Sequence, residues 1–252
     1  MRLLVSVGSA SEANAALDGG ADIVDAKDPQ AGALGAVSLD VFREIRGIVA
    51  DRRPLSAAIG DAVDEAAVER TACAFAAAGA VFMKVGFAGI TSAARIASLA
   101  AAAQRGLAAA GSGGSRLIVV AYADETAGIT PAALVDLAAR AGASGVLLDT
   151  ANKDGCGLLS LIGADALTAW IAHAHACRLI AAVAGRLTAD DVSIVHAVGA
   201  DIVGVRGAAC DGGRTGRVSA ERVRQLRDLF PDAHGGVFDH PDRLPAIDAA
   251  DA

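Results

Sequence analysis

Four stretches of the sequence repeat one pattern, in which a Gly-Ala pair leads into a short apolar run that ends near a charged residue. The pairs begin at residues 20, 79, 142 and 199, so that successive pairs lie 59, 63 and 57 residues apart. The charged residues are Lys27, Lys84, Asp149 and Arg206. An interval of about 60 residues is twice the length of one βα unit. The pattern therefore predicts every second strand of an eight-stranded βα barrel, whose carboxyl strand ends carry the chemistry.

The length of the chain fits one such domain. It has 252 residues, close to the ~250 that are typical of this fold. We predict an α/β protein with a single (β/α)8 TIM-barrel domain over residues 1–230 and a short, irregular C-terminal tail over residues 231–252. The tail lacks periodicity and is rich in Asp, Ala and Pro, so we expect it to be loose and to take no part in the chemistry.

Eight apolar runs alternate with eight helical segments, which predicts a parallel sheet covered by helices. Ser9 followed by Glu12 predicts a capping box at the first helix, and Pro131 after Thr130 predicts the start of another. An open doubly wound sheet is the alternative, but the segment VGSASEA lacks the G-x-G-x-x-G of dinucleotide-binding members. The predicted strands are 3–7, 22–27, 55–60, 81–87, 116–124, 145–150, 178–185 and 201–207.

Charge and cysteine pattern limit the partners and the compartment. The formal net charge is −7, so we do not expect nucleic acid as a partner, and no uniformly apolar run of ~20 residues predicts a membrane span. The N-terminal apolar run is too short for a signal peptide. We expect reduced thiols, a cytoplasmic location, a homo-oligomer, and neither a metal nor a cofactor. The four cysteines, which have no metal-ligating spacing, are Cys73, Cys156, Cys177 and Cys210.

The alternation of side chains along a strand turns the charged residues into the barrel. In the second strand, Asp25 and Lys27 share one face, while the apolar Val24 and Ala26 share the face toward the helices. The same reasoning applies to the other repeats, and Asp124 at the end of the fifth strand is a further candidate. The charged residues predicted at one mouth of the barrel are Asp25, Lys27, Lys84, Asp149, Lys153 and Arg206.

These charges have two interpretations. A charge in a barrel core is unfavourable unless it is paired, so one lysine–aspartate pair could be a structural salt bridge. Several lysines at one mouth favour chemistry, because neighbouring cations lower the pKa of a lysine and make its neutral amine nucleophilic. The pattern predicts a lysine that forms a Schiff base with a carbonyl compound, and a second lysine that moves protons.

Glycines follow the seventh and eighth strands. Gly185 ends the seventh strand, and Gly204 and Gly207 flank Arg206. Loops at these places in a βα barrel commonly bind phosphate through backbone N–H groups, and an arginine adds a bidentate partner. With the lysines, the glycines predict a small phosphorylated carbonyl substrate; alone, they could be ordinary turns. The segment GGRTGR (212–217) could likewise grip an anion, although a mobile basic loop is the favoured interpretation.

Five segments together resemble the (5-formylfuran-3-yl)methyl phosphate synthase family of methanofuran biosynthesis: ADIVDAKDPQAGALGA, KVG, AYAD, LLDTANKDG and DIVGVRGAAC. The resemblance covers residues 2–229, although the segment VSVGSAS departs from the family pattern. It implies a (β/α)8 lyase that condenses two molecules of glyceraldehyde 3-phosphate into a phosphorylated furan aldehyde, with release of phosphate and water. It also implies Lys27 as the Schiff-base residue and Lys84 as the proton acceptor. The supporting charges that it implies are Asp25, Asp149 and Lys153.

Two competing functions stay open at this point. A different Schiff-base aldolase would use Lys27 on the same barrel but release an open-chain sugar phosphate, which lacks the conjugated ring of a furan aldehyde. A non-catalytic sensor would bind a phosphorylated ligand without turnover. Such a sensor needs positive charge but no lysine of lowered pKa, and the convergence of three lysines therefore argues against it.

Overall fold

The computed structural model describes residues 1–111, 113–124 and 128–229. In this part of the chain, eight parallel strands close into a barrel in sequence order, with β8 paired to β1. The predicted TIM barrel is thus confirmed, whereas the predicted tail at 231–252 lies outside the described residues. The barrel strands are β1 (Arg2–Val7), β2 (Ile23–Ala26), β3 (Leu55–Asp61), β4 (Phe82–Gly86), β5 (Arg116–Tyr122), β6 (Gly145–Asp149), β7 (Ile180–Val183) and β8 (Ile202–Val205).

Helices cover the outside of the barrel, and none in the described ranges is long and apolar enough to cross a membrane. The helices are α1 (Ala10–Asp18), α2 (Leu39–Val49), α3 (Glu65–Ala77), α4 (Ala93–Ala109), α5 (Pro131–Arg140), α6 (Leu158–Leu161), α7 (Ala164–Ala176), α8 (Ala189–Ala197) and α9 (Ala220–Arg227). The single turn α6 was not predicted. An antiparallel pair, β9 (Cys210–Asp211) and β10 (Arg217–Val218), was not predicted either. Both additions follow barrel strands and so lie at the carboxyl end.

Each Gly-Ala pair of the repeat marks the C-terminal end of a helix, and its glycine is called a helix-stop glycine below. Gly20 follows α1 with a φ of +88°, which is the left-handed region that favours glycine. The N–H of Ala21 then donates to the carbonyl of Ala16 at 3.0 Å, as in a Schellman cap. Each repeat thus ends a helix and starts an even-numbered strand, since the same two features occur at Gly79, Gly142 and Gly199.

The start of α1 differs from the prediction. The hydroxyl of Ser9 accepts a hydrogen bond from the N–H of Glu12 at 3.4 Å, as expected. The predicted capping box was nevertheless wrong, because the carboxylate of Glu12 accepts from the N–H of Gly8 at 2.7 Å and pairs with Arg206. The physical reason is that a buried arginine supplies a stronger partner than the cap backbone does.

Apolar side chains inside the barrel form a floor beneath its carboxyl end, which we call the mouth. The floor includes Leu4, Ile23, Phe82, Ile118, Leu147, Ile180 and Ile202. In four of these strands, the next inward-facing residue toward the mouth is polar or charged. These residues are Ser6, Asp25, Lys84 and Asp149. Val24 and Ala26 pack outward against the helices, so the predicted assignment of faces in β2 is confirmed.

Candidate active site

The mouth opens into a cavity of about 670 Å³, a size that suits a small ligand. Its base is the apolar floor, and one side is formed by the loops that follow β7 and β8. Three lysines line the cavity, namely Lys27, Lys84 and Lys153. These lysines, Asp149 and the underlying Asp25 are called the charge cluster below.

Lys84 and Asp25 form a buried ion pair. Nζ of Lys84 lies 2.6 Å from Oδ2 of Asp25, and the hydroxyl of Ser6 donates to the same oxygen at 2.8 Å. The other carboxylate oxygen of Asp25 is buried and has no hydrogen-bond partner among the described residues. The same is true of the hydroxyl of Ser56, which is the register neighbour of Asp25 on β3. Buried polar atoms without partners are unfavourable, and they often mark functional sites.

Lys153 and Asp149 form a second ion pair. Nζ of Lys153 lies 2.6 Å from Oδ1 of Asp149, and the N–H of Thr150 donates to the same oxygen at 2.7 Å. Burial acts to raise the pKa of Asp149, but the charges of Lys153 and Lys27 and these hydrogen bonds outweigh it, so the pKa is lowered. Asp149 is therefore ionised at neutral pH.

Asp124 does not join the charge cluster. Its carboxylate accepts hydrogen bonds from the N–H groups of Ala151 and Asn152, at 2.7 and 2.8 Å. These bonds hold the loop that carries Lys153. Asp124 therefore positions a member of the cluster without being one.

Lys27 differs from the other two lysines because its amine has no ion pair or hydrogen bond within the described part of the chain. The side chain is buried, with 8% of the residue exposed. Burial lowers the pKa of Lys27 from 10.5 to about 8; Asp149 and Asp25 oppose this effect, while Lys84 and Lys153 reinforce it. Roughly one tenth of the amine is then neutral at pH 7.

The charge of the cluster distinguishes Lys27 from the other two lysines. Three lysines and two aspartates carry one net positive charge when all are ionised. Because Lys84 and Lys153 each have a carboxylate at 2.6 Å, the excess charge resides on Lys27. Loss of the Lys27 proton leaves the cluster neutral, and it creates a nucleophilic amine beside two proton-carrying side chains.

Arg206 lines the cavity, but its guanidinium is occupied. It donates to both oxygens of Glu12 at 2.9 and 3.1 Å, and to the carbonyl of Ser6 at 2.9 Å. Its remaining bonds go to the carbonyls of Arg214 at 2.8 Å and Gly216 at 3.1 Å. All five N–H groups have partners, so the expected bidentate phosphate contact has no free donor in this arrangement. The geometry instead makes Arg206 a clamp between β1, α1 and the loop after β9.

The three glycines contribute in different ways. Gly185 has a φ of +110°, and a Cβ there would lie 3.1–3.2 Å from Leu158 and Thr150. The N–H groups of Gly185 and Gly207 take part in no hydrogen bond among the described residues, so both are available to an anion. Gly204 lies within β8 and lines the cavity, where the missing side chain provides space.

The two histidines of α7 lie outside the mouth. Nε2 of His173 is 2.8 Å from Asp136, and Nε2 of His175 is 2.9 Å from Asp201. They therefore serve separate partners, since residues two apart on a helix do not face each other. His173 and Asp136 also lie near Cys177, with one potential ligand atom of each within 4.8 Å of the others. His173 and Cys177 lie at the C-terminal end of α7, which leads into the start of β7 at the end of the barrel opposite the mouth, and Asp136 lies on the neighbouring α5.

Comparisons with known sequences agree over nearly the whole barrel. The sequence model of the 4-HFC-P synthase family matches residues 3–227. The (5-formylfuran-3-yl)methyl phosphate synthase of Methanosarcina barkeri is 36% identical over 229 residues, which are 90% of this chain and 97% of that protein. The protein of the same name from Methanothermobacter thermautotrophicus is 36% identical over 237 residues, which are 91% of this chain and 99% of that protein.

Solved structures share the barrel. KGPDC from Streptococcus mutans has a TM-score of 0.64 at 15% identity and covers 93% of this chain and 99% of its own. The 3-hexulose-6-phosphate synthase from Salmonella typhimurium has a TM-score of 0.59 at 19% identity, with 92% and 99% covered. At such low identity, these similarities show the fold alone.

Proposed function

The chain belongs to the 4-HFC-P synthase family, and from that premise we propose that it is a (5-formylfuran-3-yl)methyl phosphate synthase of methanofuran biosynthesis. It condenses two molecules of glyceraldehyde 3-phosphate with loss of phosphate and water, and is thus a carbon–oxygen lyase. The observation that carries the proposal is the amine of Lys27. It is buried and unpaired among the described residues, its pKa is about 8, and two paired lysines flank it.

The first step forms an imine. The neutral amine of Lys27 attacks the carbonyl carbon of one substrate molecule, either the aldehyde or its dihydroxyacetone isomer, and the carbonyl oxygen leaves as water. Lys153 is placed to protonate that oxygen, because Asp149 holds its ammonium at the edge of the cavity. The protonated imine then withdraws electrons from the adjacent carbon and makes its C–H acidic.

The second step forms the carbon–carbon bond. A base removes the proton from that carbon, and the resulting enamine attacks the carbonyl of the second molecule. We assign the base to Lys84, which can first pass its own proton to Asp25 across the 2.6 Å contact. A hydroxyl oxygen of the condensed product then adds to a carbonyl carbon and closes the ring, and loss of one phosphate and of water makes the ring aromatic. Hydrolysis of the imine releases the aldehyde and restores Lys27.

The glycine loops provide a place for a phosphate. Gly185 and Gly207 line the cavity after the ends of β7 and β8, the position that barrels of this type use for phosphate. Binding there would orient the substrate with its carbonyl toward Lys27. The space beside Gly204 accommodates the carbon chain.

The test is reduction with borohydride in the presence of glyceraldehyde 3-phosphate, followed by peptide mass spectrometry and by the ultraviolet spectrum of the product. We expect a stable adduct on Lys27, and a conjugated furan aldehyde in the unreduced reaction. Lys27→Met is the matched control and should give neither. An adduct without a furan product would identify a different Schiff-base aldolase. Phosphate release without an adduct would refute the covalent mechanism.

A further inference from the structure

The proposed reaction brings two phosphorylated molecules into one cavity, but the glycine loops account for one phosphate. A second dianion needs a cation that is not already neutralised. Arg206 is excluded, because all five of its N–H groups have protein partners. Lys84 and Lys153 each have a carboxylate at 2.6 Å. The candidates that remain are the arginines at the rim of the mouth.

Among the described residues, two rim arginines have free hydrogen-bonding capacity, Arg186 and Arg214. Arg186 is exposed, directly follows Gly185 and donates to the carbonyl of Lys153, so it lies beside the loop assigned to the first phosphate. Arg214 is half-buried and belongs to a different loop.

Arg214 lies between β9 and β10 and lines the cavity. Its Nη2 donates to the carbonyl of Gly32, in the loop after β2, at 2.8 Å. Within the described ranges, its other four N–H groups have no partner and no carboxylate forms an ion pair with it. Arg222 lines the same cavity, but its Nε lies 2.5 Å from Asp211.

The loop that carries Arg214 is held in place. Arg206 donates to the carbonyls of Arg214 and Gly216, so the clamp described above fixes the loop at two points. A Cβ at Gly216 would lie 1.8 Å from the carbonyl oxygen of Asp211, which means that the loop requires glycine there. The segment GGRTGR is therefore not the mobile basic loop that the sequence favoured. It is a fixed loop that holds one arginine at the rim of the mouth.

The charged guanidinium of Arg214 is partly buried. Burial lowers the pKa of its guanidinium, although the group stays ionised, and Arg206 acts in the same direction. A desolvated cation without an ion pair gains more from a bound dianion than an exposed one does. Its bond to Gly32 places the guanidinium toward β2, across the mouth from the loop of Gly185.

We propose that Arg214 binds the phosphate of the second substrate molecule, the one whose carbonyl is attacked by the enamine. This inference rests on the proposed function, since it requires two phosphorylated molecules in one cavity. Arg214 thus determines occupancy of the second subsite, while the glycine loops serve the molecule bound to Lys27. The two roles can be separated, because imine formation needs one molecule and turnover needs both.

The experiment compares these two measurements in Arg214→Met, with Arg222→Met as the matched control. For Arg214→Met, the substrate concentration that gives half-maximal borohydride adduct on Lys27 should change by less than about twofold. The KM for furan formation should rise by about tenfold or more, as for the loss of a charged hydrogen-bonding partner. Arg222→Met should leave both within about twofold, and Arg214→Lys should recover part of the KM. Thermal unfolding checks that each variant is folded.

Two results would overturn the inference. If Arg214→Met forms the furan with the KM of the parent protein, Arg214 binds no substrate. If adduct formation and turnover weaken together, Arg214 belongs to the first subsite. Failure of the proposed function is a separate outcome, because it appears in the parent protein as the absence of an adduct on Lys27 or of a furan product.

Discussion

Replacement of Lys27 by methionine should stabilise the folded protein while it abolishes turnover, and both effects have the same cause. The amine is buried, with 8% of the residue exposed, and no carboxylate pairs with it among the described residues. Methionine has a similar length and volume and carries no charge. The substitution therefore removes the unfavourable burial of a cation without leaving a cavity.

The size of the effect follows from the pKa. In the unfolded chain the lysine has its ordinary pKa of 10.5, and in the folded protein its pKa is about 8. At about 1.4 kcal/mol for each pH unit, the difference amounts to about 3 kcal/mol. Below pH 8 both states hold the proton, so the folded protein bears the full penalty. Between pH 8 and 10.5 the unfolded state binds more protons, and the penalty disappears as the pH rises.

The assay is thermal unfolding of the parent and variant proteins at pH 7 and near pH 10. At pH 7, Lys27→Met should unfold roughly 6–12 °C higher, given about 2–4 °C per kcal/mol for a chain of this size. The gain should shrink near pH 10. The matched control is Lys84→Met, which leaves Asp25 buried without its cation and should lose about 3–5 kcal/mol.

The opposite sign of the two variants is the critical result. If Lys27→Met unfolds at a lower temperature at pH 7, as Lys84→Met should, then Lys27 is a member of a structural salt-bridge network. Its charge would then stabilise the folded protein, contrary to a pKa lowered by burial. An equal gain at both pH values would show that packing, and not the charge, is responsible.

Three further predictions concern the same machinery. The rate of adduct formation on Lys27 should rise with pH and level off above about pH 8, because only the neutral amine attacks; a flat profile between pH 6 and 8 would contradict this. Glu12→Gln should weaken the clamp on Arg206, lower the free energy of unfolding in urea by about 1–3 kcal/mol and raise the KM for furan formation. Unchanged values of both quantities would show that the clamp is dispensable. Gly185→Ala should lower the free energy of unfolding by about 1–3 kcal/mol, because alanine at a φ of +110° is strained and its Cβ would crowd Thr150. A free energy of unfolding in urea equal to that of the parent protein would refute this.

The barrel and the inward direction of its charges could be predicted because they depend on local patterns. A period of two assigns the faces of each strand, and Gly-Ala pairs mark the helix ends. This reasoning also extends to Ser6, which lies two residues after the inward Leu4 in β1. Ser6 was not among the predicted site residues, because serine carries no charge.

The partners of the charged residues could not be predicted, because they depend on distances across the barrel. The clamp joins Arg206 to Glu12 across 194 residues of sequence, and no local pattern indicates such a pair. For this reason, the sequence predicted a phosphate-binding role for Arg206, which forms the clamp, and did not single out Arg214. The alternation of side chains along β8 predicted that Arg206 faces the mouth. Arg214 lies in an irregular loop, to which no periodicity applies. Residue type and spacing could likewise not show which lysine lacks a carboxylate partner; the resemblance to a known family pointed to Lys27.

The helix-stop glycines lead to a rule about the length of each repeat. From each such glycine, the inward charged residue is always an odd number of positions away: five to Asp25 and Lys84, and seven to Asp149 and Arg206. Since the glycine fixes where the strand begins, a deletion or insertion of a single residue in that interval would reverse the parity and turn the charge toward the helices. Natural variation in chain length should therefore be confined to the segments outside these four intervals. Within them, we expect a change of length to impair turnover as much as the loss of a proposed catalytic side chain.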